Sequence, residues 1–378
     1  MMFGKRIKLF KLLGFEVNID LSWIIIAVLI TWSLAAGLFP YLYPGLERET
    51  YWIMGVVGAL GLFASIVAHE FCHSIVARKF GMPMKGITLF IFGGVAEMGD
   101  EPPTAKAEFS MAIVGPISSL VIAVIFYLIY RAGVSGGWDT PVNGVIYYIA
   151  YINAILAAFN LLPAFPLDGG RVLRSILWGT KGNLRWATRV SSSIGATFGI
   201  GLIILGIFQF IYGNVIGGVW MFLIGMFLRN AAQMSYQQLL VRKALEGEKV
   251  SRFMNTNPVA VQDSITVEHL VEDYIYKHHY KMFPVMSGDK LVGCITTRQV
   301  KEIPREAWSR ETIREAASQC SPENTISPDT DAIKALAMMT QTGVSRMLVV
   351  ENGRLVGIVT LKDLLDFFSL KVELEEQS

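Results

Sequence analysis

Six stretches of this chain, about 19–39, 52–79, 108–131, 143–163, 187–211 and 215–234, each hold roughly twenty or more mainly apolar residues. A helix rises about 1.5 Å per residue, so each run is long enough to cross the roughly 30 Å hydrocarbon layer of a bilayer. Backbone groups in lipid must be satisfied within the protein, which leaves helices as the structure for runs of this kind. Composition agrees, because 53% hydrophobic and 17% charged over 378 residues is too apolar for an ordinary soluble domain. The expected fold is a polytopic α-helical membrane protein with six transmembrane helices in a lipid bilayer.

The apolar signal stops near Met234, and from about Lys243 the chain turns to mixed charge with short alternating apolar runs, the pattern of an aqueous module. A net charge of +2 is too small to point to nucleic acid. The placement of charge says more. Lys5, Arg6, Lys8 and Lys11 precede the first span, and the next loop offers only Arg48. Arg78, Lys79, Lys85 and Lys106 lie between spans two and three, and Arg171, Arg174, Lys181, Arg185 and Arg189 between four and five. Every second loop is basic, which predicts a multi-pass cell-membrane protein with both termini in the cytoplasm. No removable signal peptide is expected, since no small-residue cleavage site follows a short apolar core. Cys72, Cys294 and Cys320 are scattered and imply neither a disulfide framework nor a metal site.

Within the second run stands "AHEFCHSIVARKFG". His69 and His73 are four apart, so on a helix both rings leave the same face, with Glu70 turned about 100° away. Two neutral imidazoles on successive turns can reach one zinc ion, and the carboxylate can take a proton from its water. His69 lies about 13 Å along the helix from Arg78 at about 1.5 Å per residue, below the interface, where ionisable groups are rare and functional. A catalytic zinc wants a third protein ligand and an open position. "NLLPAFPLDGGRVL", residues 160–173, offers Asp168 among Pro163, Pro166, Gly169 and Gly170, breakers that belong at membrane depth only inside protein or along a wet cavity. The same carboxylate would serve as the N-cap of a helix starting near Arg171. Gly115 and Pro116, opening the third span, suit close helix packing. Asp20 and Trp23 suit a cap and an interface anchor for the first span.

"HEFCH" in a second span, "GGVAEM" after it, "GPISS" in the third and "NLLPAFPLDGGR" closing the fourth resemble the site-2 protease family of intramembrane zinc metalloproteases. The resemblance covers about 1–230, the expected transmembrane metalloprotease domain. It implies that His69, His73 and Asp168 bind one zinc ion, that Glu70 is the general base, and that Asn160 helps hold the tetrahedral intermediate. It also implies a membrane-spanning protein substrate, cut within or near its transmembrane segment. Such a helix must unwind locally before attack, and something must pair with the backbone it exposes. "KGITLFIFGGVAEM", residues 85–98, is short, apolar and β-prone, and Gly93 and Gly94 break it. It is expected to form a re-entrant hairpin whose edge binds the substrate strand, or a hairpin that only packs the fold.

A polar-faced helical connector is expected over 231–246. Beyond it "MFPVMSGDKLVGCITTRQV" at 282–300 aligns with "RMLVVENGRLVGIVTLKDL" at 346–364, with Gly293 matching Gly357. Each copy reads strand, turn, strand, helix. The repeat is similar to a tandem of cystathionine-β-synthase-type (CBS) domains, about 247–306 and 308–371, a cytoplasmic α/β CBS pair. That resemblance implies an adenosine nucleotide, ATP or AMP, held by a threonine and an aspartate three residues later. The second copy has Thr360 and Asp363, whereas the first has Thr296 and Gln299. Homodimerisation through the CBS pair is another role the resemblance allows. His269, His278 and His279 read as surface residues.

Two functions compete at this stage. One is an intramembrane zinc endopeptidase with a regulatory CBS pair, and the other a CBS-gated ion channel or transporter. A transport path would scatter ionisable groups over several spans. Here they gather into one ligand set with a water activator.

Overall fold

The computed structural model describes residues 6–12, 14–82, 84–90, 93–98 and 101–375, which form two compact units, Met1–Gln237 and Gln238–Ser378. Among the described residues the helices long and apolar enough to cross a membrane are Leu21–Leu42, Arg48–Lys79, Ala105–Ser135, Thr140–Asn160, Leu184–Ile211 and Val215–Leu245. Short polar residues start several of them. Asp20 Oδ1 accepts from Ser22 N, Thr104 Oγ1 from Ala107 N and Asn183 Oδ1 from Trp186 N, at 2.9, 3.1 and 2.9 Å. Apolar side chains also cover the outer faces, with Val28 63% and Leu128 61% exposed. Such faces suit lipid and would be a liability in water. The chain is a multi-pass membrane protein. Its sixth helix runs on as one element through the segment read as a connector, to Leu245.

Spans one, two and four pack around Leu34, Phe39, Met54, Phe63 and Tyr148. Trp23 adds to an expectation. It is half-buried, with its ring 4.7 Å from Phe63 of the second span, and it lines a cavity beside the histidines, a placement the expectation of a plain anchor did not include. Gly115 and Pro116 stand well within their helix and not at its start, since the third span begins at Ala105.

A four-stranded sheet accompanies the spans, in the order β1 (Arg6–Leu12), β2 (Phe15–Asp20), β3 (Met84–Phe90), β4 (Gly93–Met98). The β3–β4 hairpin falls where a β-prone segment was expected, and the hairpin before the first span was not expected at all. Phe15, Val17 and Ile19 alternate inward along β2. They fix a parallel register with β3, Val17 opposite Ile87 and Ile19 opposite Leu89. The N-terminal hairpin thus satisfies one backbone edge of β3, and β4 lies at the sheet's far edge.

The second unit holds two similar lobes. The first contains β5 (Val261–Gln262), β6 (Met282–Ser287), β7 (Lys290–Thr296) and β8 (Ser318–Gln319), in that sheet order. The second contains β9 (Thr325–Ile326), β10 (Arg346–Glu351) and β11 (Arg354–Thr360), with β10 in the middle. Gly288 and Gly353 take φ of +60° and +77° in the matching hairpin turns, a conformation other residues adopt at a cost. The Gly293–Gly357 match also has a cause. A Cβ on Gly293 would lie 2.1 Å from Ser318 O, and one on Gly357 2.8 Å from Asn255 O, because β8 pairs with the first hairpin there and Asn255 forms an isolated bridge beside the second. Met282, Leu291, Cys294 and Leu348 form the apolar seam between the lobes.

Candidate metal centre

The second span carries His69 and His73 one turn apart, and both are buried, at 3% and 7% exposure. Asp168 arrives from the other side as the first residue of the helix Asp168–Lys181. The N-cap is Leu167, so the alternative of a capping Asp168 fails, and the helix starts three residues earlier than Arg171. Its carboxylate instead meets both rings. His69 Nε2 lies 2.9 Å and His73 Nε2 3.2 Å from Asp168 Oδ2, and the two nitrogens are 3.1 Å apart.

Proton placement shows what such a triangle can hold. His73 Nδ1 is 2.6 Å from the Met111 carbonyl, which only accepts, so Nδ1 carries a proton and in the neutral, metal-binding ring Nε2 offers a lone pair. Ser119 Oγ, 2.9 Å from His69 Nδ1, can accept in the same way. Three lone-pair atoms then face one another. A single proton would satisfy one edge of this triangle, whereas one divalent cation satisfies all three corners. An ion about 2.0–2.2 Å from N and O ligands in a tetrahedral site spaces them roughly 3.3 Å apart, close to the separations seen. Two imidazoles and one carboxylate are a donor set that fits zinc.

Backbone geometry makes the approach possible. A Cβ on Gly115 would fall 2.2 Å from His73 Nε2 and 2.6 Å from His69 Nε2, so the third span covers the ligand atoms with bare backbone. One turn before His69, Asn153 Nδ2 donates to Ser65 Oγ at 2.8 Å and brackets spans two and four. The Met111 carbonyl and Asn153 were missed in the sequence, where amides and carbonyls in apolar helices carry no distinctive spacing, and Ser119, the last residue of the quoted "GPISS", was given no role there.

A cavity of about 390 Å³ opens beside the triangle. Glu70 and Asn160 line it with His69, amid apolar walls that include Leu89, Phe90, Phe159 and Phe227. Asn160 ends the fourth span, with Nδ2 donating to Leu156 O at 3.0 Å. Gly93 and Gly94 open β4 opposite Phe90 and Leu89, the two β3 residues in the cavity wall.

The profile of peptidase family M50 matches residues 57–136 and 134–206, and that of the CBS domain matches 250–306 and 313–370. Zinc metalloprotease MJ0392 of Methanocaldococcus jannaschii is 31% identical over 373 residues, covering 98% of each chain. Rip3 of Mycobacterium tuberculosis is 34% identical over 371 residues, covering 96% of this chain and 94% of that one. The chain belongs to peptidase family M50. This M50 peptidase is a zinc metalloprotease of the site-2 protease family with a tandem of CBS domains. Among solved structures, a site-2 protease from Methanocaldococcus jannaschii aligns with 29% identity and a TM-score of 0.42, over 61% of this chain and 95% of that one. Membership in a peptidase family sets the channel reading aside.

In the second unit of the M50 chain, Thr360 and Asp363 line a pocket of about 700 Å³ together with Lys281, Arg346 and Lys362. His279, exposed as a surface residue, lines it too. Asp363 Oδ2 accepts from Thr360 N and Oγ1 at 2.9 and 2.8 Å. In the first lobe Gln299 Oε1 takes the same two donors of Thr296, and its Nε2 donates to Ala316 O and Ser318 Oγ at 3.2 and 2.8 Å. The glutamine therefore ties down β8, where the aspartate faces a pocket.

Proposed function

We propose that this metalloprotease is an intramembrane endopeptidase whose zinc is held by His69, His73 and Asp168. The observation that carries the reading is the buried triangle of His69 Nε2, His73 Nε2 and Asp168 Oδ2 beside a cavity lined by Glu70. When bound, zinc supplies Lewis acidity that polarises the scissile carbonyl and makes water a nucleophile near neutral pH. Glu70 accepts the proton that water loses as its oxygen bonds to the carbonyl carbon. It then delivers that proton to the departing amide nitrogen as the C–N bond breaks. Asn160, across the same cavity, donates to the oxyanion from its side-chain amide. The apolar walls exclude bulk water and suit an unwound transmembrane segment.

The edge of β4 at Gly93–Gly94 gives that segment a partner for its exposed backbone, by strand addition. Basic residues in alternate loops support an orientation with both termini in the cytoplasm. The second unit binds one adenosine nucleotide at Thr360–Asp363, where Lys281, Arg346 and Lys362 can meet phosphates and the Asp363 carboxylate the ribose hydroxyls.

Glu70→Gln tests the assignment of the base. Metal analysis should find zinc retained, while cleavage of a single-span membrane protein falls by about 10²–10⁴-fold. His69→Ala and Asp168→Ala should lose zinc and cleavage together. Wild-type turnover by the purified glutamine variant refutes the role given to Glu70.

A further inference from the structure

The mechanism leaves one group of buried charges without a role. Arg174, 3% exposed, sits on the helix Asp168–Lys181, six residues past Asp168. Its guanidinium is paired with Glu108 of the third span, which is 0% exposed, and its Nη2 lies 3.1 Å from Glu101 Oε2. Its Cζ also stands 5.2 Å from the centre of the Phe165 ring. Burying an ion pair costs desolvation on both sides, and apolar residues of similar size would pack at no loss. Stability alone is therefore a poor reason for the pair, and what it connects is a better one.

Glu108, Met111, Gly115 and Ser119 are spaced by three, four and four residues, which puts them on a single face of the third span. That face turns the two histidines, through the Met111 carbonyl and Ser119 Oγ, and gives them room at Gly115. Arg174 joins the same face to the helix that begins with Asp168. It reaches the preceding loop as well. Phe165 lies between the Arg174 guanidinium and Gly195 of the fifth span, where a Cβ would come 2.0 Å from Phe165 O. Glu101, just beyond β4, adds a third tether.

We propose that Arg174 and Glu108 are positioning residues for the metal: their buried pair fixes Asp168 at bonding distance from the face that orients His69 and His73. The inference rests on the reading of those three residues as the ligands. The pair acts through Asp168 and touches neither metal nor substrate. Removing partners that orient a ligand typically weakens metal binding 10–100-fold.

The test uses the full-length protein in detergent, with zinc release to a chelator and the visible spectrum of the cobalt(II)-substituted form as readouts. Arg174→Lys keeps the charge but loses the planar fork, and zinc should leave at least about tenfold faster with helix content unchanged. The double variant Arg174→Met with Glu108→Leu removes both charges together and so avoids stranding either one. It should fold, yet bind zinc about 10–100-fold more weakly with altered cobalt bands, which report the ligand geometry. Wild-type zinc release and cobalt bands in either folded variant overturn the proposal. Zinc binding that survives Asp168→Ala would instead overturn the ligand assignment beneath it.

Discussion

The triangle in the membrane unit and the Thr360–Asp363 pocket in the second unit treat their polar atoms in opposite ways. In the triangle the histidine side chains are braced from behind by Met111 and Ser119, so their Nε2 atoms point at one another and at Asp168. In the pocket Asp363 already accepts both donors of Thr360 and closes a helix-capping ring by itself. The first arrangement is costly until a cation arrives, whereas the second stands complete and can take a ligand or go without. The two sites thus differ in the leftover valence of their polar atoms, and not merely in which residues compose them.

The sharpest way to break this comparison is to crowd the triangle. Gly115→Ala places a methyl group 2.2 Å from His73 Nε2, and equilibrium competition with a chelator should show zinc binding weakened by about 100-fold. Unchanged zinc affinity would mean that the rings do not meet under the third span as described. A smaller effect is expected at the pocket. Asp363→Ala removes the anionic acceptor, and titration of the full-length protein with ATP should show affinity lowered by about ten- to a hundredfold, with zinc content unaffected. If ATP gives no saturable heat with the wild type, the pocket is not a nucleotide site. The smallest effect belongs to the first lobe. Gln299→Ala removes a capping box and should cost about 1 kcal/mol in thermal unfolding, with ATP affinity unchanged. Weakened ATP binding in that variant would erase the asymmetry drawn between the lobes.

Parts of this architecture were legible in the chain for identifiable reasons. A run of twenty apolar residues has few alternatives to a helix, and the four-residue spacing of His69 and His73 sets both rings on one face wherever that helix goes. The repeated strand–turn–strand pattern of the second unit was legible because its turns require glycine at 288 and 353. Other features had no local signature. The hairpin of β1 and β2 looked like a basic flank, since its strands make sense only once β3 offers an edge to pair with. Arg174 looked like an ordinary loop-side charge, because burial depends on the neighbours and not on the residue itself.

The sequence alone determined that the chain enters lipid, that two imidazoles and a carboxylate share a turn of one helix, and that a duplicated module follows. Those properties come from hydrophobicity and helical period, which are local. Only the tertiary structure decided that Asp168 is a partner of the histidines and not a cap, and that Ser119 and Met111 set the direction of the rings. It also decided that Gly115 makes the space they occupy. Each of these depends on where backbone tens of residues away comes to rest, and no short-range propensity encodes a distance across the fold.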